Sequence, residues 1–341
     1  MRDCKCEILG DIGGAGKYVM IVLITTRGNG YTLKSLVDGT FGVPTPNFKT
    51  TNYERLFGSW WVARATYIFG DLERLAPWEL FLAADLYRSM RKAGLRCLND
   101  PARAMARVEL LVALHDAGIN SYSVFRADAQ PRPPRFPVFI RPEHSHETPQ
   151  SKLYGDQQSL ELALKKLQES GLPLRGLLVV EQAAEPYNET LWAKWGTWRI
   201  GDRLIVEHIA VDDTWLVKIG DHAKVTDAIM DDEREAVETN RFATDIGPAF
   251  DIAGIEFGRA DHGTVAGQAA IYEINTNPYL GLFVPDRHPI RRETQIIARG
   301  RIAEALAEID TTAVGRTRIP ASAKRRPIRW WRPGFATPRR P

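Results

Sequence analysis

Two carboxylates and a carboxamide late in the chain have the types and spacing to hold a hard divalent cation. In Tyr272-Glu273-Ile274-Asn275-Thr276-Asn277-Pro278, extended backbone puts Glu273 and Asn275 on one face, because alternate residues of a strand share a side. Asp261 falls on the preceding strand, across a turn expected at His262–Gly267, where it can face them. An all-oxygen set of this kind suits Mg²⁺, which takes a few protein oxygens and completes its shell with phosphate and water. Arg259 lies two residues before Asp261 and points to the same face. A hairpin with a merely polar outer face would not explain the Asn-Thr-Asn-Pro ending.

Other chemistry-bearing segments are less specific. Gly13-Gly14-Ala15-Gly16-Lys17 has the composition of a phosphate loop but not its order. Asp11 stands where the first glycine is needed, Tyr18 replaces the hydroxyl residue, and the strand follows rather than precedes. His144 and His146 sit in an expected loop, either as phosphate or substrate contacts or as ordinary loop polar groups, and no further zinc ligands accompany them. Lys218 follows Trp215-Leu216-Val217 and aims at either phosphate or solvent. Trp192, Trp195, Trp198 and Trp215 read as hairpin packing more readily than as a base-stacking platform. Cys4-x-Cys6 lacks the second pair a zinc site needs, and three cysteines make no disulfide framework. There is no recognisable Ser-His-Asp or Cys-His arrangement.

Glu273-Ile274-Asn275-Thr276-Asn277-Pro278, with Gly258-Arg259-x-Asp261 one strand earlier, resembles the metal-binding end of the ATP-grasp superfamily. The resemblance implies ATP and Mg²⁺ as cofactors. Asp261, Glu273 and Asn275 match the residues that hold Mg²⁺, and Arg259 matches the arginine that steadies the transferred phosphate. Phe136–Pro142 resembles the strand that ends in a phosphate-binding lysine, here Arg141. Asn99-Asp100-Pro101 and the following helix resemble the segment supplying the other such lysine, here Arg107. Arginine keeps charge and adds a bidentate fork, but its geometry differs from lysine. Val179-Val180-Glu181 resembles the hinge whose acid and backbone receive adenine, with Asn188 or Glu189 for the ribose and Lys218 for phosphate. A glycine-rich flap expected after Arg141 is replaced by Glu143–Thr148.

These residues need a frame, and the pattern supplies one. Strands are expected at Tyr18–Thr25, Arg64–Phe69 and Leu95–Leu98, with a helix at Glu79–Lys92 opened by Pro77 and closed by Gly94. Strand–helix–strand order predicts a parallel sheet. Further on come a helix from Asn99-Asp100-Pro101 to Ala117, a strand at Phe136–Arg141, a helix at Ser159–Ser170 and a strand at Gly176–Glu181. A hairpin turning at Gly201-Asp202, a helix at Glu233–Ala249, the metal hairpin and a helix at Arg292–Ile309 complete the chain. The fold class expected is α+β or α/β. The resemblance implies an ATP-grasp fold (subdomains 99–180 and 181–312) preceded by a small Rossmann-like α/β domain (1–98), where Gly28–Gly30 and Asp71 are candidates for lining the acceptor site.

Residues 313–341 are expected to be a disordered basic tail. From Arg316 on, nine basic residues stand without an acid, which leaves 36 basic against 42 acidic side chains elsewhere. Such a tail can make weak contact with an anionic surface. With 44% apolar and 26% charged residues and no apolar run near ~20, a membrane span is excluded and a cytoplasmic protein is expected. The function the resemblance implies is an ADP-forming, ATP-dependent carboxylate–amine ligase acting through an acyl phosphate on small-molecule carboxylate and amine substrates. A small-molecule kinase and a non-catalytic nucleotide-binding regulator are the alternatives. Oligomeric state is not readable.

Overall fold

The computed structural model describes residues 21–39, 42–44, 46–144, 152–281, 288–311 and 313–320. The Gly13–Lys17 segment, Cys4, Cys6, His146 and Trp330-Trp331 lie outside them. The first part runs β1 (Ile21–Thr25), α1 (Lys34–Val37), β2 (Phe48–Asn52), α2 (Tyr53–Phe57), β3 (Trp61–Ala63), β4 (Thr66–Phe69), α3 (Pro77–Lys92) and β5 (Cys97–Leu98). The middle carries α4 (Arg107–Asp116), β6 (Val124–Arg126), β7 (Val138–Pro142), α5 (Gln157–Glu169) and β8 (Leu177–Glu181). The last part carries β9 (Trp192–Ile200), β10 (Arg203–Asp212), α6 (Asp227–Thr239), α7 (Ala243–Ala253), β11 (Phe257–Val265), β12 (Gln268–Asn275), α8 (Pro289–Glu308) and β13 (Arg316–Arg318).

The class is mixed α/β, with one parallel sheet and several antiparallel ones. The parallel sheet has the order β2-β1-β4-β5. Its central strands, IVLIT and TYIF, are buried at every position, as strands covered on both faces must be. The antiparallel sheets are β6-β8-β7 and β10-β9-β11-β12, the second carrying both hairpins. One face of that four-stranded sheet packs Trp195, Val206 and Ile209 against α4, α6 and α7. On the other, Trp198, Ile200 and Ile205 join α8 (Ile302, Leu306) and the parallel sheet (Ile21, Leu23, Ile68) in one core. The rest of that second face stays open, and the site lies there.

Four expectations are corrected. The helix expected from Asn99 begins only at Arg107. Asn99 adopts a left-handed φ of 62° and uses its side chain as a clamp: Nδ2 donates to the Phe69 and Phe257 carbonyls at 3.0 and 2.8 Å, and Oδ1 accepts from the Phe257 amide at 2.8 Å. It ties the parallel sheet to β11. The Glu233–Ala249 helix is two helices, because Asn240 ends α6 in the left-handed region and caps β10 with its amide. The β11–β12 hairpin turns only at Ala266-Gly267, both at positive φ as a type I′ turn demands, so His262–Val265 belong to the strand.

The tail begins later than expected. Arg316–Arg318 form β13, antiparallel to β3, and Ile319 is buried beside Val62 and Tyr67. Backbone pairing and one isoleucine outweigh the basic composition there.

Candidate active site

The two carboxylates meet as their spacing predicts. Asp261 on β11 and Glu273 on β12 are directly opposite in the antiparallel register, with Arg259 opposite Asn275 two pairs further along, on the same face. Two β-bulges shape the site. One, beside Asp261, gives β12 the extra residue Tyr272, so Tyr272 and Glu273 both line the cleft. The second, between Val206 and His208, turns the consecutive side chains of Glu207 and His208 toward the same face.

Every carboxylate here is matched by cations. Asp261 accepts from Arg259 Nε at 2.9 Å and from Lys194 Nζ at 3.2 Å. Burial alone would raise its carboxyl, but Arg259 and Lys194 outweigh burial and hold it far below the usual range. Glu273 accepts from Arg107 Nη2 and from Arg141 Nη2 through Oε2, and from Asn275 Nδ2 at 3.2 Å through Oε1. Burial, helped by the charge of Arg141, lowers the Arg107 guanidinium to about 9, and burial lowers Arg141 as well. Glu207, also buried, takes Arg299 Nη1 at 2.6 Å, Arg259 Nη1 at 3.3 Å and the Trp198 indole at 2.5 Å. Burial works against its charge, yet Arg299, His208 and Arg259 keep it ionised well below the usual carboxylate value.

A cleft of about 930 Å³, its open mouth included, runs from this cluster between β7–β8 and β9–β12. Leu111, Phe139, Val180, Trp215 and Leu216 give it apolar walls, and Arg141, Lys194, Asp261 and Glu273 form its charged end. Phe139 and Trp215 pack with ring centroids 4.8 Å apart.

The Asp261–Glu273–Asn275 set fits Mg²⁺ in donor chemistry and register. Among the described residues, no three His, Cys, Asp or Glu side chains gather as a protein-only cage. A cation here would therefore take most of its ligands from phosphate and water, as Mg²⁺ does.

The remaining expected residues divide. Arg107, at the start of α4, and Arg141, on β7, converge on Glu273 from two elements. Arg107 also donates to the Pro142 and Glu143 carbonyls at 3.2 and 2.7 Å. Glu181 lines the cleft, but its carboxylate is occupied by Ser123 N–H at 2.9 Å and by Arg135. Lys218 lines the cleft and its carbonyl accepts from Lys194 Nζ at 2.7 Å. Glu189 is exposed in a turn that Asn188 closes onto Leu191 N–H, away from the lining residues. His144 is exposed, 3.7 Å from Glu143. Asp71 is buried and spends its oxygens on Thr26 and Asn277.

The Asn-Thr-Asn ending does more than the motif suggests. Thr276 accepts from Leu72 N–H at 3.0 Å and donates to Glu73 at 2.6 Å, and Asn277 reaches Asp71 and the Asn29 carbonyl. It stitches the end of β12 to the C-terminal edge of the parallel sheet. Gly70 permits the approach: a Cβ there would lie 2.9 Å from the Thr276 carbonyl.

In chain course the protein is similar to solved ATP-grasp ligases. D-alanine–D-alanine ligase from Bacillus anthracis shares 11% identity at a TM-score of 0.47, over 86% of this chain and 97% of its own. ATP-grasp ligase PsnB, in complex with precursor peptide PsnA2 and AMPPNP, shares 14% at 0.48, over 87% and 99%. D-cycloserine synthetase DcsG shares 14% at 0.43, over 84% and 99%. No family model matches the chain, and no curated protein does. Likeness of this degree leaves the functional reading to the residues of the site.

Lys194, Glu207 and His208 are the residues that sequence reasoning missed. Glu207 and His208 sit on the hairpin expected around Gly201-Asp202 and Lys194 on an earlier extension of its first strand, but what they face depends on β9 pairing with β11, some sixty residues away. The only local signal is Gly196 inside a strand, which marks a close approach of other groups.

Proposed function

We propose that this chain is an ATP-grasp enzyme that uses Mg-ATP to activate a carboxylate as an acyl phosphate and then joins it to an amine. The observation that carries the reading is the direct register of Asp261 with Glu273 at the charged end of an otherwise apolar cleft. Adenine suits the apolar walls, with the backbone at Gln182–Ala184 along its edge and Glu181 fixing that hinge through Ser123 and Arg135. The phosphates suit Arg107, Arg141, Lys194 and Lys218. Mg²⁺ at Asp261, Glu273 and Asn275 would neutralise phosphate charge. Arg259, anchored by Asp261 and Glu207, places a fixed positive charge where the phosphoryl group passes, and a preorganised charge costs no reorganisation at the moment of reaction. Apolar walls exclude water from the acyl phosphate. No protein nucleophile is needed, since positioning and charge carry this chemistry.

One observation favours a binder without turnover: both arginines in the lysine positions are held by Glu273. Incubation with Mg-ATP and metabolite pools separates the readings. The ligase gives ADP, phosphate and a condensed product, a kinase gives ADP and a phosphorylated product, and a binder gives no ADP. Absence of ADP with every pool overturns the proposal.

A further inference from the structure

The reading above leaves one step without a residue: an amine is protonated at neutral pH and must lose a proton before it can attack. A cross-strand line supplies a base. His208 on β10 is registered with Gly196 on β9, Gly196 with Asp261 on β11, and Asp261 with Glu273 on β12. Directly paired residues in an antiparallel sheet project to the same face, with neighbouring strands about 4.8 Å apart. His208 therefore shares the open face with the two carboxylates, and only a glycine stands between it and Asp261.

The glycine leaves the ring its room. A Cβ on Gly196 would lie 2.9 Å from His208 Cε1 and 3.1 Å from Arg259 Cδ, so the imidazole and the arginine stem lie over bare backbone. The bulge at Glu207 is what brings the histidine round. Without the extra residue, the alternation of β10 would turn His208 toward the core that holds Val206 and Ile209. The same bulge sets Glu207 beside it, with the carboxylate 3.4 Å from Nδ1. A carboxylate at Nδ1 fixes the ring and leaves Nε2 as the basic nitrogen. The side chain keeps 25% exposure, and among the described residues Nε2 meets no hydrogen-bonding partner. The titratable and charged groups that act on the ring are Glu207 on its own strand, Arg259, Asp261 and His262 on β11, and Arg299 of α8 behind Glu207.

We infer that His208, oriented by Glu207 and given room by Gly196, is the general base that deprotonates the acceptor amine. This rests on the ligase reading. His208 Nε2 takes one proton from the ammonium, and the freed amine attacks the acyl carbon. The C–N bond forms, the C–O bond to phosphate breaks, and the second proton leaves on hydrogen phosphate. The imidazolium then returns its proton to solvent.

The test compares two nucleophiles on the full chain, with Mg-ATP and the D- and L-amino acids as carboxylate and amine panel. Hydroxylamine is largely unprotonated at neutral pH and traps the acyl phosphate without a base; amino-acid condensation needs one. His208→Asn keeps a donor toward Glu207 and removes the base. We expect it to lower condensation about 10²–10³-fold, within the range of general-base catalysis, while hydroxamate formation changes no more than about threefold. The deficit should shrink as pH rises and free amine accumulates, which lost packing would not produce. Equal losses with both nucleophiles, or no loss with either, overturn the assignment. So does a wild type that traps hydroxylamine but condenses no amine. A wild type that forms neither product removes the ligase reading itself, and this inference with it.

Discussion

Arg259 donates from Nε to Asp261 at 2.9 Å and from Nη1 to Glu207 at 3.3 Å, so one guanidinium joins the candidate metal site to a buried carboxylate. It is therefore a prop for two carboxylates, and that role can be separated from the catalytic charge proposed for it. Arg259→Ala leaves two buried carboxylates short of a partner and should destabilise the protein by about 3–5 kcal/mol. Arg259→Lys restores charge but not the fork, so much of the stability should return. ADP release per folded molecule should still fall roughly 10²–10³-fold in Arg259→Lys, the cost of losing a preorganised stabilising donor. Thermal melts and ADP release on both variants check this; full turnover in Arg259→Lys would assign the residue to stability alone.

Glu207 makes the fold acid-sensitive in a calculable direction. Its folded-state pKa is depressed, so its contribution is present above its ordinary value of about 4.5 and is lost as pH falls below that value. Glu207→Gln should be markedly less stable than wild type at pH 7. The gap should narrow as pH falls from 5 toward 3, because wild type loses what the variant never had. Urea unfolding across that range reads the gap, and a constant difference would refute the ionised assignment.

Mg-ATP should raise the melting temperature by binding the native state, about 2.7 kcal/mol at a hundredfold excess over Kd. Glu273→Gln should lose most of that increment. Its ligand-free melting temperature should also drop, since Arg107 and Arg141 lose their shared counter-charge. An intact Mg-ATP increment in this variant would move the metal site elsewhere.

Two truncations test the chain end. Stopping after Pro320 keeps every described contact, whereas stopping after Gly315 removes β13 and the buried Ile319. The shorter protein should be less stable by about 1.5–3 kcal/mol, the value of fully burying an isoleucine-sized side chain. Equal melting temperatures would show that β13 contributes nothing.

What the sequence revealed was whatever depends on neighbours along the chain. Glu273 and Asn275 share a strand, Asp261 sits one tight turn away, and the parallel strands around β1 and β4 are continuous apolar runs. Hidden features depend on distant pairing. Lys194 becomes an Asp261 partner only through the β9–β11 register, and Glu207 and His208 share a face only because of a bulge that no local pattern announces. Asn99 misled because Asn-Asp-Pro is a sound helix start. Its amide instead found four backbone groups on two elements, and tertiary bonding overrode the cap. Arg316–Arg318 misled because composition says nothing about whether an edge strand awaits a partner.

The β3–β13 pairing makes the timing of synthesis matter. Trp61 is translated early, but its partner Arg318 emerges only after more than 250 further residues. At about 5–20 residues per second, that interval is on the order of 10–50 s. During it, the unpaired edge of β3 and the apolar surface around Val62 that Ile319 later covers remain exposed on the nascent chain. Such an edge is an invitation to pair with another polypeptide. Yield in a cell should therefore depend on how well chaperones shield that strand, more than the stability of the finished fold would suggest.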